Sequence, residues 1–393
     1  MLSIEPVIPG IAAIASEFVD VRRRIHAHPE LAYEETLTSD LVAGLLAQWG
    51  YEVHRGLGKT GVVGVLKEGE GGKRIGLRAD MDALPIEETT GLPYASKHAR
   101  TMHACGHDGH TAMLLCAARY LAESRQFSGT LIVIFQPAEE GEAGARAMIE
   151  DGLFEKFPCD AVFGLHNMPG LPAGDMFFTP GPGMASSDRV NITVRGVGGH
   201  GAMPHVARDP MPAVASIMLG LNSIVAREID AQKPAVVTVG SVQAGEACNV
   251  IPETALMKLS VRSLDAGVRK QLQERITALV NAQALAFGCT AEIDYELGYP
   301  VLVNHAEPTA FATDVATQML GAQRVDPAAR PLMGSEDFAF MLEACPGTYA
   351  WIGNGIGSKG GCMVHNPGYD FNDDILAIGA SYWVRLAEAW LAD

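Results

Sequence analysis

Hydrophobic positions along the chain fall into two kinds of run. Short continuous apolar stretches, the size of buried strands, span 74–79, 130–135, 160–165 and 348–353. Among them lie segments with the three-to-four-residue spacing of amphipathic helices, such as 112–124 and 306–320. Strands and helices alternating at this scale predict an α/β fold: a mostly parallel sheet, apolar on both faces and covered by helices.

The pattern changes between Asp188 and Leu297. There the order reads strand 189–197, helix 211–230, strand 235–243, strand 255–262, helix 266–287 and strand 290–297. This is the β-α-β-β-α-β order of a ferredoxin-like unit. A Pro/Gly hinge at 179–183 opens the insert and Gly298-Tyr299-Pro300 closes it. The expected organisation is a discontinuous catalytic domain, 1–186 and 299–393, carrying an inserted α+β lid domain at 187–298. A length of 393 residues suits two such cores.

Charge narrows the partners. Lys and Arg number 29 against 46 Asp and Glu, and the formal net charge of −17 repels phosphate backbones and anionic headgroups. Nucleic acid and membrane surfaces are therefore not expected partners, and no apolar run approaches the roughly 18 residues of a membrane span. Seven cysteines without a spacing framework point to a reducing cytoplasm, where a special cysteine acts as ligand or nucleophile. Glu5 and Pro9 stand where a secretory signal would carry basic and then apolar residues, so none is expected.

In open α/β sheets, ligands bind beyond the carboxyl ends of the strands, and the unusual residues of this chain collect there. Asp80 and Asp82 follow the first core strand, Glu139 and Glu140 the second, His166 the third, and His365 lies in the loop after the fourth. A fifth group, 103–110 (His-Ala-Cys-Gly-His-Asp-Gly-His), precedes a helix expected to start near Thr111. Taken singly, each group has an ordinary reading. Cys105 and His107 are loop residues near a helix start, Glu139 and Glu140 are acids favoured by a helix N-terminus, and His166 and His365 are hydrogen-bonded loop histidines. Arg22-Arg23-Arg24, His26 and His28 read as the end and solvated face of an N-terminal helix. Taken together, thiolate, imidazoles and carboxylates on one sheet rim form a donor set suited to Zn²⁺, Mn²⁺, Co²⁺ or Ni²⁺. Five such donors exceed what one catalytic zinc requires, and two metals fit better.

Three other motifs lead nowhere. Gly355-Ile356-Gly357-Ser358-Lys359-Gly360 has the dinucleotide spacing, but Gly361 and Pro367 follow where a crossover helix is needed. Gly58-Lys59-Thr60 lacks the opening glycine of a P-loop, since position 53 is Val53. Gly334-Ser335-Glu336-Asp337 lacks the second glycine of a nucleophile elbow. A nicotinamide oxidoreductase is thus poorly supported, and a metal-binding regulator without catalysis would have no need of Glu139.

These blocks resemble the dinuclear-metal amidohydrolase family of hippurate hydrolase, N-acyl-amino-acid amidohydrolases and indole-acetyl-amino-acid hydrolases, kin of carboxypeptidase G and aminoacylase. The resemblance runs through 24–30 (Arg-Ile-His-Ala-His-Pro-Glu), 78–85, 103–110, 135–141, 164–167, 198–205, 249–252, 334–338 and 365–367. It implies a zinc-peptidase-like catalytic domain, a lid domain through which such proteins dimerise, and two divalent metals. The ligands it implies are Cys105, His107, Glu140, His166 and His365, with Glu139 as general base. Distant carboxypeptidase relatives carry a metal-binding histidine where this chain has Asp80, and Cys105 supplies the replacement in this branch. Asp82 is then a support for a ligand or a purely structural residue at the strand end. By the same resemblance Arg262, helped by Asn249, recognises a substrate carboxylate, with a surface ion pair as the alternative for Arg262. His200 resembles the histidine that reaches into the partner subunit's site, with a plain loop histidine as its alternative. The roles of Asp80 and His205 stay open. The expected reaction is hydrolysis of N-acyl-L-amino acids to a carboxylic acid and a free amino acid, with a dipeptidase or carboxypeptidase as runner-up.

Overall fold

The computed structural model describes residues 6–392, so Glu5 lies outside the described residues. The chain forms two compact units. One holds the residues up to Gly181, Val303–Arg330 and those from Asp337 on; the other holds Pro182–Leu302 and Pro331–Glu336. The segment 331–336, which the sequence reading left with the catalytic domain, joins the second unit through its backbone. Leu332 donates to the Gly183 carbonyl at 2.9 Å, and Ala185 donates to the carbonyls of Leu332 and Gly334 at 3.1 and 2.9 Å.

The first unit is built on eight strands: β1 (Glu52–Leu57), β2 (Gly61–Glu68), β3 (Arg74–Asp80), β4 (Gly129–Gln136), β5 (Ala161–Pro169), β6 (Met176–Phe178), β7 (Val325–Asp326) and β8 (Gly347–Gly355). Their order across the sheet is β1-β2-β4-β3-β5-β8-β6-β7. The four central strands β4, β3, β5 and β8 run parallel, and their residues are almost wholly buried, which is why they read as continuous apolar runs. The edges are antiparallel additions: β1 and β2 form a hairpin beside β4, and β6 lies antiparallel to β8. Register brings the strand ends level, since Asp80 pairs with Gln136, Arg78 with Gly164 and His166 with Trp351. The helices Pro9–Ala27, His107–Ser124 and Leu376–Trp390 pack on one another beside this sheet.

That packing corrects one expectation. Arg22 and His26 do not face solvent; both are fully buried, whereas Arg24 is exposed. Arg22 pairs with Asp108 (3.3 Å), Asp370 (3.0 Å) and Asp373 (2.9 Å), and His26 Nδ1 lies 2.9 Å from Asp108 Oδ2. An N-terminal helix is thereby tied to the segments on either side of the candidate metal ligands. Burial pushes the His26 imidazolium down, but Asp108 and Glu88 outweigh it and raise its pKa to about 9. A histidine raised in the folded state contributes stability that is complete below its unfolded pKa of about 6.5 and is lost as pH climbs through about 9. At about 1.4 kcal/mol per unit the effect is on the order of 3 kcal/mol. Urea unfolding from pH 6 to 10 should therefore show a larger fall in stability for the wild type than for His26→Asn; parallel curves would remove His26 from the account.

The second unit has a four-stranded antiparallel sheet in the order Ala235–Ala244, Thr254–Ser263, Ser186–Arg195, Thr290–Tyr299. The helices Pro210–Glu228 and Ala266–Ala286 cover one face, capped by Asp209 and Asp265, whose side chains accept from the backbone of Met211 and Val268. Chain order and sheet order together are those of a ferredoxin-like unit. Among the described residues no helix is long and apolar enough to cross a membrane.

Candidate metal centre

The level strand ends set out the first unit's polar rim. β3 ends at Asp80, with Asp82 two residues on; β4 ends at Gln136, and a turn carries Glu139 and Glu140; His166 lies near the end of β5. Beyond β8, His365 is drawn toward Cys105 by its own backbone, whose N–H donates to the Ala104 carbonyl at 2.7 Å. The helix beside β3 begins at His107 rather than near Thr111, so His107 and His110 sit one turn apart on it. Gly106 makes this entry with φ +92°, and a Cβ there would stand 2.1 Å from Asn167 Oδ1.

These elements bring all six expected residues of the centre together. Cys105 Sγ is 3.3 Å from His166 Nε2, and His365 Nε2 is 3.2 Å from Glu140 Oε1. Donor atoms lie within 4.8 Å of one another in overlapping groups that include Cys105, His107 and His166; Cys105, Glu140 and His365; His107, Glu139 and Glu140; and Asp80, His107 and His110. Neighbouring polar groups orient the imidazoles. His166 Nδ1 donates to the Asn167 carbonyl at 2.6 Å and His107 Nδ1 donates to Asp82 Oδ1 at 3.2 Å, which turns each Nε2 toward the centre. Asp82 is buried and spends its second oxygen on the Glu140 backbone N–H at 2.9 Å. Asp80 is differently engaged, with Arg78 Nη1 and His110 Nδ1 both at 2.6 Å.

The electrostatics fit a cation. Buried His107 Nε2 and Glu140 Oε1 make no hydrogen bond. Burial, with Glu140, Glu139 and Asp80 nearby, pushes the Cys105 thiol well above its ordinary range, so a thiolate there needs positive charge beside it. Burial lowers the His107 imidazolium, but Asp80, Asp82 and Glu140 outweigh it and raise its pKa to about 10, as anions crowding a single proton must. Burial and the neighbouring His110 keep His166 neutral, the form a ligand requires.

The remaining expected residues belong to the second unit. His200 is exposed on a two-residue strand, Gly199–His200, paired with Val250–Ile251. Asn249 is beside it, accepting from the Gly201 N–H at 2.8 Å. His205 is exposed in a short 3-10 turn, Pro204–Val206. Arg262 donates to the Met333 carbonyl at 3.0 Å, a backbone contact rather than the surface ion pair considered above. It sits near the far end of Thr254–Ser263, roughly 27 Å along the strand from the His200 end, so Asn249 is not its neighbour. The sequence reading missed Glu35, Arg78, Gln136 and Asp337. Arg78 donates to Gln136 at 2.7 Å and Asp337 at 3.3 Å beneath the rim. A buried polar residue inside an apolar strand was the available signal for Arg78.

A parallel α/β sheet whose strand ends present thiolate, imidazole and carboxylate donors beside a further carboxylate defines a metal-dependent hydrolase. Comparison makes the class specific: the sequence model of peptidase family M20/M25/M40 matches residues 76–389, and the chain belongs to that family. It is similar to hippurate hydrolase of Campylobacter jejuni, 48% identical over 384 residues, which are 98% of this chain and 99% of the relative. Thermostable carboxypeptidase 1 of Saccharolobus solfataricus is 39% identical over 396 residues, 99% of this chain and 98% of that one. A solved dinuclear metal binding peptidase of the M20 family from Bacillus subtilis is 34% identical with a TM-score of 0.84, covering 97% of this chain and 99% of its own. The chain is accordingly a metal-dependent amidohydrolase, with divalent metal as its cofactor.

Proposed function

We propose that the protein cleaves the amide bond of N-acyl-L-amino acids at a centre of two divalent metals held by Cys105, His107, Glu140, His166 and His365. The observation that carries this reading is the set of overlapping donor groups, one of which joins Glu139 to His107 and Glu140. When bound, such metals polarise an amide carbonyl and acidify water toward a pKa of about 7. Glu139, 7% exposed and next to the ligand Glu140, takes the proton from water and passes it to the leaving amine. Asp82 steadies His107 and Glu140 together. Likeness to a hippurate hydrolase favours N-acyl amino acids such as N-benzoyl, N-acetyl and indole-acetyl conjugates, whereas likeness to a carboxypeptidase keeps peptide hydrolysis as the second reading.

Arg262 holds the substrate carboxylate, a task to which a guanidinium fork is suited. His200 serves the site of a second subunit, where it stabilises the oxyanion. The separation of Arg262 from His200 within the lid supports this division, since one small substrate cannot touch both ends of one strand. Val236 and Val242 on the edge strand Ala235–Ala244 are exposed apolar side chains that a second copy would cover, which supports a homodimer through the lid unit. The cysteine pattern favours a cytoplasmic location.

The test is a hydrolysis panel of benzoyl, acetyl and indole-acetyl amino acids and dipeptides, run on chelator-treated protein before and after reconstitution with Zn²⁺, Mn²⁺, Co²⁺ or Ni²⁺. Turnover of acyl amino acids that appears only with metal is expected. Full activity in protein shown by elemental analysis to be metal-free would overturn the proposal, and turnover of dipeptides alone would move it to the second reading.

A further inference from the structure

Ala138 is fully buried with φ +53°, a left-handed backbone that residues other than glycine seldom adopt. It immediately precedes Glu139. On an extended strand Glu139 and Glu140 would point to opposite faces, yet their carboxylates share one donor group with His107. The turn at Ala138 is what allows this. Two buried carboxylates hold the turn by alternate backbone amides: the Ala138 N–H donates to Glu35 Oε1 at 2.8 Å, and the Glu140 N–H donates to Asp82 Oδ2 at 2.9 Å. Asp82 also grips His107. Glu35 Oε2 instead accepts from Thr60 Oγ1 at 2.5 Å.

Glu35 is fully buried, and burial pushes its carboxyl up to about 7 in spite of the bond from Thr60. A carboxyl group is expensive to keep in such a place, and an apolar side chain would pack there without that cost. Strained backbone of the Ala138 kind persists only where its surroundings over-determine it, and it collects at working sites.

We propose that Glu35 is a positioning residue for hydrolysis: by holding the Ala138 amide it fixes the turn that aims Glu139 at the reacting water. The inference rests on Glu139 being the base. Three variants and one control test it. Glu35→Ala should lower kcat by roughly ten- to a hundredfold with KM within about twofold, and elemental analysis should find metal content unchanged. Amide hydrogen exchange across 137–141 should rise in the same variant. Glu35→Gln keeps a carbonyl oxygen for the Ala138 N–H and should retain kcat within about threefold. In the double variant Glu35→Ala, Ala138→Gly, a residue at ease with positive φ occupies the turn, and kcat should partly recover. Thr60→Val removes the bond to Oε2 and should leave kcat near wild type.

A Glu35→Ala protein that is less heat-stable but retains wild-type kcat would overturn the proposal, as would loss of metal in step with loss of activity. If Glu35→Ala proves too unstable to purify, the Gln variant decides: a loss of kcat as large as that of Glu139→Gln overturns it. Full activity in Glu139→Gln would instead bring down the reading of the base, a separate result that these variants distinguish.

Discussion

Glu139→Gln is expected to lower hydrolysis by about a hundredfold or more while the bound metal stays in place. The amide preserves the shape of the side chain, so the turn and its neighbours need not move, but it cannot take a proton from water. Glu140→Gln should behave differently. Its carboxylate lies 3.2 Å from His365 Nε2 and 4.0 Å from His107 Nε2, so removing its charge weakens the site as a holder of cations. Measuring kcat and metal content on the same gel-filtered samples separates the two. Intact metal in the Glu140 variant with metal lost from the Glu139 variant would reverse the assignment.

A second large effect is restoration of activity between two dead proteins. His200→Ala and Glu139→Ala should each be nearly inactive alone. In a mixed dimer with His200 acting across the interface, the subunit that keeps Glu139 receives its partner's His200, while the other site lacks both groups. If subunits mix randomly in equal amounts, half the dimers are mixed and each has one complete site of two, so activity should return to roughly a quarter of wild type. A histidine serving its own subunit leaves every site defective. Mixed dimers demonstrated by native mass spectrometry that stay inactive would therefore exclude the cross-subunit role.

The sequence made the four central strands legible because burial on both faces leaves an unbroken apolar run, and the rim residues legible because titratable side chains sit at the ends of those runs. Other strands escaped for physical reasons. β6 has three residues and β7 two, too few to show a period, and β1 carries exposed polar residues on an edge. Arg22 and His26 were misplaced because a helix with arginines near its end looks solvated until Asp108, Asp370 and Asp373 arrive from distant segments. Glu35 was invisible for the same reason, since its partner is a backbone amide about a hundred residues on and nothing local marks it. Asn249 and Arg262, close in number, are separated by a full strand, a distance that becomes apparent only once the register of the second unit's sheet is known.

The pairing of β5 with β8 has a consequence for synthesis. β5 must find a partner strand that leaves the ribosome only after the whole inserted unit has been made, and His365 and the aspartates that neutralise Arg22 emerge later still. Until then the nascent chain exposes one edge of a strand that is almost wholly buried in the fold and carries a buried-type arginine with two of its three carboxylates missing. The second unit, contiguous but for one short segment, is free to fold during this interval. A growing chain of this protein should therefore bind chaperones through residues 161–169 and acquire hydrolytic competence only on release, so truncation of even the last thirty residues removes His365, a proposed metal ligand, as well as a helix.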